Sequence, residues 1–238
     1  MSTQYPVWGK ILRIVGIVLM GLTAAFTLLG GAGTTCVALD PTGFGGKFSG
    51  IAPFQWLYIL FVVVTLAIGV MGVRAVVRLV RARRGSYMSA VAVMAAGILV
   101  GGIHMAASRA LRGGSMPVDM VVYTTAFTLA IFLIMRLPGI WQGIQLERRE
   151  GSGQSGTTAA AITLAGAGLL TLSMQFLMRA THTVGGINYA DAWHATLTLL
   201  GGAFVMAGVL TAAHRGGGET WPSSVGPAKA AHRTQTDP

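Results

Sequence analysis

Residues 55–80 read QWLYILFVVVTLAIGVMGVRAVVRLV. From Gln55 to Val73 no residue is charged, and the run is too long for a membrane strand and lacks the alternation of one. A helix rises about 1.5 Å per residue, so this stretch outspans the roughly 30 Å hydrocarbon core of a bilayer. At its end Arg74, Arg78 and Arg81 fall at i, i+4 and i+7, on one helical face. That pattern predicts a membrane helix whose last turns reach the headgroups, with the three arginines against anionic lipid.

Five further stretches read the same way. The predicted spans are residues 11–30, 55–80, 87–107, 117–137, 158–178 and 192–212. Hydrophobic residues make up 53% of the chain, mean hydropathy is +0.65, and only 10% of residues are charged. A soluble domain carries about 25% charged residues, so little of this chain is built to face water. The fold class is all-α: a polytopic integral membrane protein with six transmembrane helices.

The net charge of +10 invites a nucleic-acid reading, but the positions of the basic residues exclude it. They flank the apolar runs. Lys10, Arg13, Arg74, Arg78, Arg81, Arg83, Arg84, Arg136, Arg148, Arg149, Arg215, Lys229 and Arg233 share one side, and Lys47, Arg109, Arg112 and Arg179 the other. The richer side is predicted cytoplasmic, with both termini on it, in a plasma membrane. Span 1 is expected to be kept rather than cleaved, because its apolar run exceeds a signal-peptide core. Residues 213–238, rich in Gly, Pro, Ser and Thr, are expected to form a disordered cytoplasmic tail, and His214 and His232 within it are discounted as site residues.

A weak repeat runs through the outward loops. RALRGGSMPVD (109–119) and RATHTVGGINYAD (179–191) each pass from Arg-Ala through Gly-Gly to an Asp at the next span. Spans 3–4 and 5–6 then read as two parallel copies of a helical hairpin, with spans 1–2 a divergent third. The alternative is that each loop merely needs glycine to turn and Asp119 or Asp191 to cap a helix.

Small residues in GILVG (97–101), GAG (166–168) and GGA (201–203) suit close helix packing, within the chain before between chains. Thr124, Thr125, Thr128, Thr171, Ser173 and Gln175 are the mild polar groups of spans 4 and 5, and packing accounts for them better than a solute path. Trp56, Tyr58, Tyr189 and Trp193 outside, and Tyr5, Trp8, Tyr87 and Trp141 inside, are expected to be interfacial aromatics. The first outward loop, 31–55, holds the single cysteine, Cys36, and Phe44 and Phe48, which could fold back as a lid. One cysteine allows no internal disulfide.

Chemistry-bearing side chains concentrate on the outward side. His104, His182 and His194, with Asp191, form a candidate site for a transition metal or haem, since imidazole is the commonest such ligand. Arg109, Arg112 and Arg179, with Asp119, form a candidate anion pocket. The structural reading outweighs both: capping aspartates, snorkelling arginines and interfacial histidines. No CxxC, HExxH, GxSxG, Walker or dinucleotide motif is present, so the balance tilts against an enzyme.

Three functions therefore stand from the sequence. The first is an accessory or scaffold protein, a subunit of a membrane complex or a homo-oligomer, with a polar outward face for a ligand or partner. The second is a metal- or haem-binding redox or metal-handling protein. The third is a small permease for a neutral or anionic solute, against which the scarcity of mid-membrane ionisable residues counts.

Overall fold

The computed structural model describes residues 6–44, 46–144, 146–147, 153–177, 183–184 and 186–216. The long helices are α1 (Val7–Leu39), α2 (Gln55–Val80), α3 (Ser86–Arg112), α4 (Val118–Met135), α6 (Gly153–Leu177) and α8 (His194–Gly216). Short helices α5 (Ile140–Ile144) and α7 (Tyr189–Ala192) lie in connections, and β1 (Thr183–Val184) and β2 (Ile187–Asn188) pair as a minimal antiparallel hairpin. Six helices are long and apolar enough to cross a membrane, which fits an integral membrane protein.

The helices are arranged as a four-helix core with a two-helix annex. α1 packs on α2 and α4, and α3 closes the ring between α2 and α4. α6 lies against the outside of α1 and, more lightly, α2, while α8 packs on α6. The outer surface is apolar: Leu99, Phe176 and Leu199 are largely exposed. In a bilayer these side chains meet lipid rather than water, which is why exposure here carries no solvation cost.

Lipid supplies no hydrophobic drive between helices, so close backbone approach must hold them. A Cβ on Gly168 of α6 would sit 2.6 Å from the carbonyl oxygen of Gly201 in α8, too near for any side chain. Gly208 abuts the backbone of Ala161 and Ala165 in the same interface. The stretch GILVG also packs within the chain: Gly97 faces Ile68 and Thr125, and Gly101 faces Val122.

α1 continues nine residues beyond the predicted end at Gly30 and runs for 33 residues. Its glycines are contact surface rather than a stop: Gly31 lies against Leu66 of α2, and Thr34 and Thr35 donate back to the carbonyls of Gly30 and Gly31. Cys36 consequently sits in the last turns of α1, not in a loop. The remaining connection turns at Asp40, whose Oδ1 accepts from Thr42 Oγ1 and Gly43 N at 3.0 Å each. It then folds back, with Ile51 fully buried beside Ala38, Tyr58 and Val62, and Phe48 beneath the Arg112 guanidinium.

Arg13, expected as an exposed orientation signal, is buried. It is 1% exposed, and its guanidinium donates to Leu79 O at 2.9 Å and Leu146 O at 3.1 Å. Leu79 lies in the last turn of α2, and its carbonyl also accepts from Ala82 N at 3.1 Å. Arg74 and Arg81 are exposed as expected of headgroup contacts, whereas Arg78 also donates to Arg84 O at 3.1 Å and ties down the turn into α3. Tyr58 and Tyr87 are core residues rather than interfacial ones, at 2% and 4% exposure, while Trp56 and Trp193 are exposed. His214 belongs to α8, exposed and hydrogen-bonded to Leu210 O. The expected tail from residue 217 onward, Arg148, Arg149 and Tyr5 lie outside the described residues.

Three stability outcomes follow. Gly168→Ala should lower thermal stability in detergent by about 1–2 kcal/mol, because the α6 and α8 backbones must part. Gly202→Ala, with nothing within 4 Å of its Cβ, should leave stability unchanged or slightly raised. Arg13→Met should cost about 1–3 kcal/mol, read in the same unfolding assay, because it removes the guanidinium that donates to the Leu146 carbonyl and adds to the backbone donor of Leu79 O.

Candidate functional site

At the end of the core opposite Arg13, one histidine turns inward. His104 lies in α3 and is 4% exposed. Phe61 of α2 stacks on its imidazole, with ring centroids 4.4 Å apart and planes 16° from parallel. Tyr58, one turn away on the same face of α2, meets the imidazole edge-on at 5.2 Å. One turn along α3, Ser108 hydrogen-bonds the Tyr58 hydroxyl at 2.8 Å. The i, i+3 pair on α2 thus grips the i, i+4 pair on α3: Phe61 packs against both the Tyr58 and His104 rings, and Ser108 holds the Tyr58 hydroxyl. His104 Nε2 is fully buried and has no hydrogen-bond partner among the described residues.

The imidazole forms part of the wall of a cleft enclosed by α1, α2, α3 and α4, with about 510 Å³ of space, open mouth included. Glycines line it: Gly30 and Gly31 from α1, and Gly97 and Gly101 from α3. Threonines supply the polarity: Thr27, Thr34, Thr65 and Thr125. A smaller space of about 220 Å³, open surroundings included, shares Thr27, Ile68, Gly97 and Thr125 with it and reaches Met20 and Met94. Among the described residues, the lining of both spaces contains no Asp, Glu, Lys or Arg.

Most of the threonine protons are already committed. Thr27 donates to Thr23 O at 2.8 Å, Thr34 to Gly30 O at 2.7 Å, and Thr125 to Val121 O at 2.6 Å. Thr128 donates to Thr124 O at 2.9 Å, so in the 2.8 Å contact between Thr23 and Thr128 the hydroxyl of Thr23 is the donor. Thr124 likewise bonds back to Met120 O. In α6, Thr171 and Ser173 do the same, and Gln175 accepts from Thr198 of α8 at 3.4 Å. The hydroxyls of spans 4 and 5 therefore serve their own helices and one helix–helix contact, as the packing reading expected.

The other predicted site residues separate. His194 is exposed at the start of α8, on the annex rather than the core. His182 and Arg179 lie outside the described residues. Among the described residues no group of three His, Cys, Asp or Glu side chains comes together. Asp191 lies three residues before the start of α8. It belongs to α7, whose cap is Asn188, accepting from Ala190 N at 3.1 Å and donating to Asp191 Oδ2 at 2.9 Å. Asp119 is the second residue of α4, after Pro117 at the cap position, and it serves the first turn instead by holding Arg109.

Arg109 donates to Asp119 Oδ2 at 3.3 Å, to Ser115 Oγ at 2.9 Å and to Tyr123 Oη at 3.4 Å. Arg112 donates to Met116 O at 2.7 Å and covers Phe48. Both arginines thus have partners inside the chain and staple the α3–α4 connection. Sequence reasoning placed His104 on the outward side but missed Phe61 and Thr34, and it assigned Tyr58 to the membrane interface. Only the pairing of α2 with α3 brings them together; no spacing within either helix signals it.

No family model, curated protein or solved structure matches this chain.

The Tyr58–Ser108 bond should be measurable as a coupling. Tyr58→Phe and Ser108→Ala should each cost about 1 kcal/mol of stability, and the double variant less than their sum by about 0.5–1.5 kcal/mol. A double-mutant cycle of thermal or denaturant unfolding in detergent checks this, and strict additivity would show the bond to be idle.

Proposed function

We propose that the protein is an integral binding protein of a plasma membrane, with its arginine-rich end cytoplasmic, that takes a small neutral ligand into the α1–α4 cleft. In this role it is an accessory component that holds or presents the ligand rather than a catalyst. The observation that carries the reading is His104: a buried imidazole with an unpartnered Nε2 in the wall of a cleft. Leaving such an atom unpaired inside a protein costs on the order of 1–3 kcal/mol, which a bound ligand recovers. The uncharged lining supports a neutral ligand and speaks against coupling to ions or protons. Ligand sites of this kind, between the helices of a bundle and mostly apolar with a few polar groups, are common.

The test is native mass spectrometry of protein purified in mild detergent, with solvent extraction of the same sample. Wild type should carry a small neutral molecule at up to one copy per chain, and Gly97→Leu, which fills the cleft, should carry none. Equal occupancy in both would place the molecule elsewhere, and an empty wild type would remove the reading. Metal analysis and a visible spectrum of that sample decide the metal or haem alternative, which requires bound metal or a Soret band that His104→Phe abolishes.

A further inference from the structure

Resting on that reading, the hydrogen-bonding state of the cleft wall narrows the ligand's chemistry. We infer that the cleft selects an uncharged amphiphile with an alcohol hydroxyl, which lies against His104 while an apolar body follows the glycine-lined walls. Thr27, Thr34 and Thr125 each spend their single proton on a carbonyl of their own helix, so toward the cleft they offer only lone pairs. His104 adds an imidazole whose Nε2 is unengaged. These three acceptors demand a donor, while Thr65 and the imidazole in the same wall can also donate. A hydroxyl supplies one and can also accept, so it pairs with the imidazole in either tautomer. A ketone or an ether brings acceptors alone and would leave the threonine lone pairs unanswered.

The body of the ligand is set by the same helices. The slot between the helices is lined by glycines at 30, 31, 97 and 101, with Ile68 and Val121 adding apolar surface. Among the described residues the lining holds no cation to receive a phosphate or carboxylate, which counts against charged lipids and fatty acids. The source is therefore the apolar phase of the membrane or a poorly soluble alcohol delivered to it, not an anionic headgroup.

The probes are 1-decanol, methyl nonyl ketone and methyl nonyl ether, three chains of near-equal length. Each is added at equal mole fraction in detergent micelles to wild type, Gly97→Leu, His104→Phe and Thr125→Val, and thermal unfolding is followed. The phenyl ring of His104→Phe keeps the stack on Phe61, and Thr125→Val keeps the shape of the side chain while removing its lone pairs. Decanol is expected to raise the wild-type midpoint by several degrees and to bind about tenfold or more tighter than the ketone or ether. That preference should vanish in His104→Phe and weaken in Thr125→Val, so a folding failure of one variant leaves the other to decide. A ketone or ether that matches decanol on wild type, but not on Gly97→Leu, would overturn the alcohol assignment and keep the cleft as a binding site. Equal shifts on wild type and Gly97→Leu would overturn both, because the effect would then belong to the micelle. No shift with any probe would overturn the alcohol assignment, and the occupancy seen by native mass spectrometry would decide the cleft separately.

Discussion

A guanidinium buried beneath the end of a helix has to be surrounded by acceptors, and Arg13 sets this condition for the bundle. Its two carbonyl partners come from chain segments far apart, the last turn of α2 and the stretch beyond α5. Carbonyls at a helix C-terminus carry partial negative charge, so the cation suits them better than water-poor surroundings would otherwise allow. The neighbouring layer repeats the principle with rings: Arg136 lies over Trp141 and Tyr87, and Tyr87 donates to Phe132 O at 3.1 Å. At this end the core is filled by Ile17, Met20, Leu79, Phe132 and Met135, all fully buried. The four helices are thus cemented at one end. Toward the other, glycine and threonine take over from large apolar residues, and the cleft opens there.

The six spans were legible because their signal is composition over about twenty residues, which survives any detail of packing. The predicted bounds of span 2 coincide with α2, and the others differ mainly at the ends. The largest difference, at the end of α1, has a plain cause. Gly30, Gly31 and Gly33 read as a break because glycine disfavours helix in water. In an apolar surrounding the backbone has no other partner for its polar groups, so the helix persists and the bare glycine backbone becomes packing surface. Arg13 and Tyr58 were misplaced for a related reason. Basic and aromatic residues near span ends usually mark the interface, and sequence alone does not say which face of the helix they occupy.

The site was legible only in part. His104 stood out as an ionisable residue near a span, and Asp119 as a partner for Arg109. The stacking of Phe61, the bond from Ser108 and the committed threonine protons depend on how α2, α3 and α1 are rotated about their axes. Rotation in a bundle is chosen by contacts among several helices at once, for instance Gly69 against Leu28 and Gly72 against Ala24. No local periodicity records that choice. The histidine trio reads as a cluster when only depth in the membrane is considered, yet His194 sits on an annex helix and His104 inside the core.

The placement of α8 bears on how the chain is made. Its helical neighbour is α6, with only lighter support from α7, and it touches none of the four core helices extensively. α1 through α4 leave the ribosome first and can close their ring before the annex exists. α6 then docks on the finished wall of α1, and α8 has only to find α6 through glycine-to-backbone contact. The biosynthetic order of the helices therefore follows their order of dependence in the core: none of α1 to α4 has to wait in the bilayer for a principal partner from the annex.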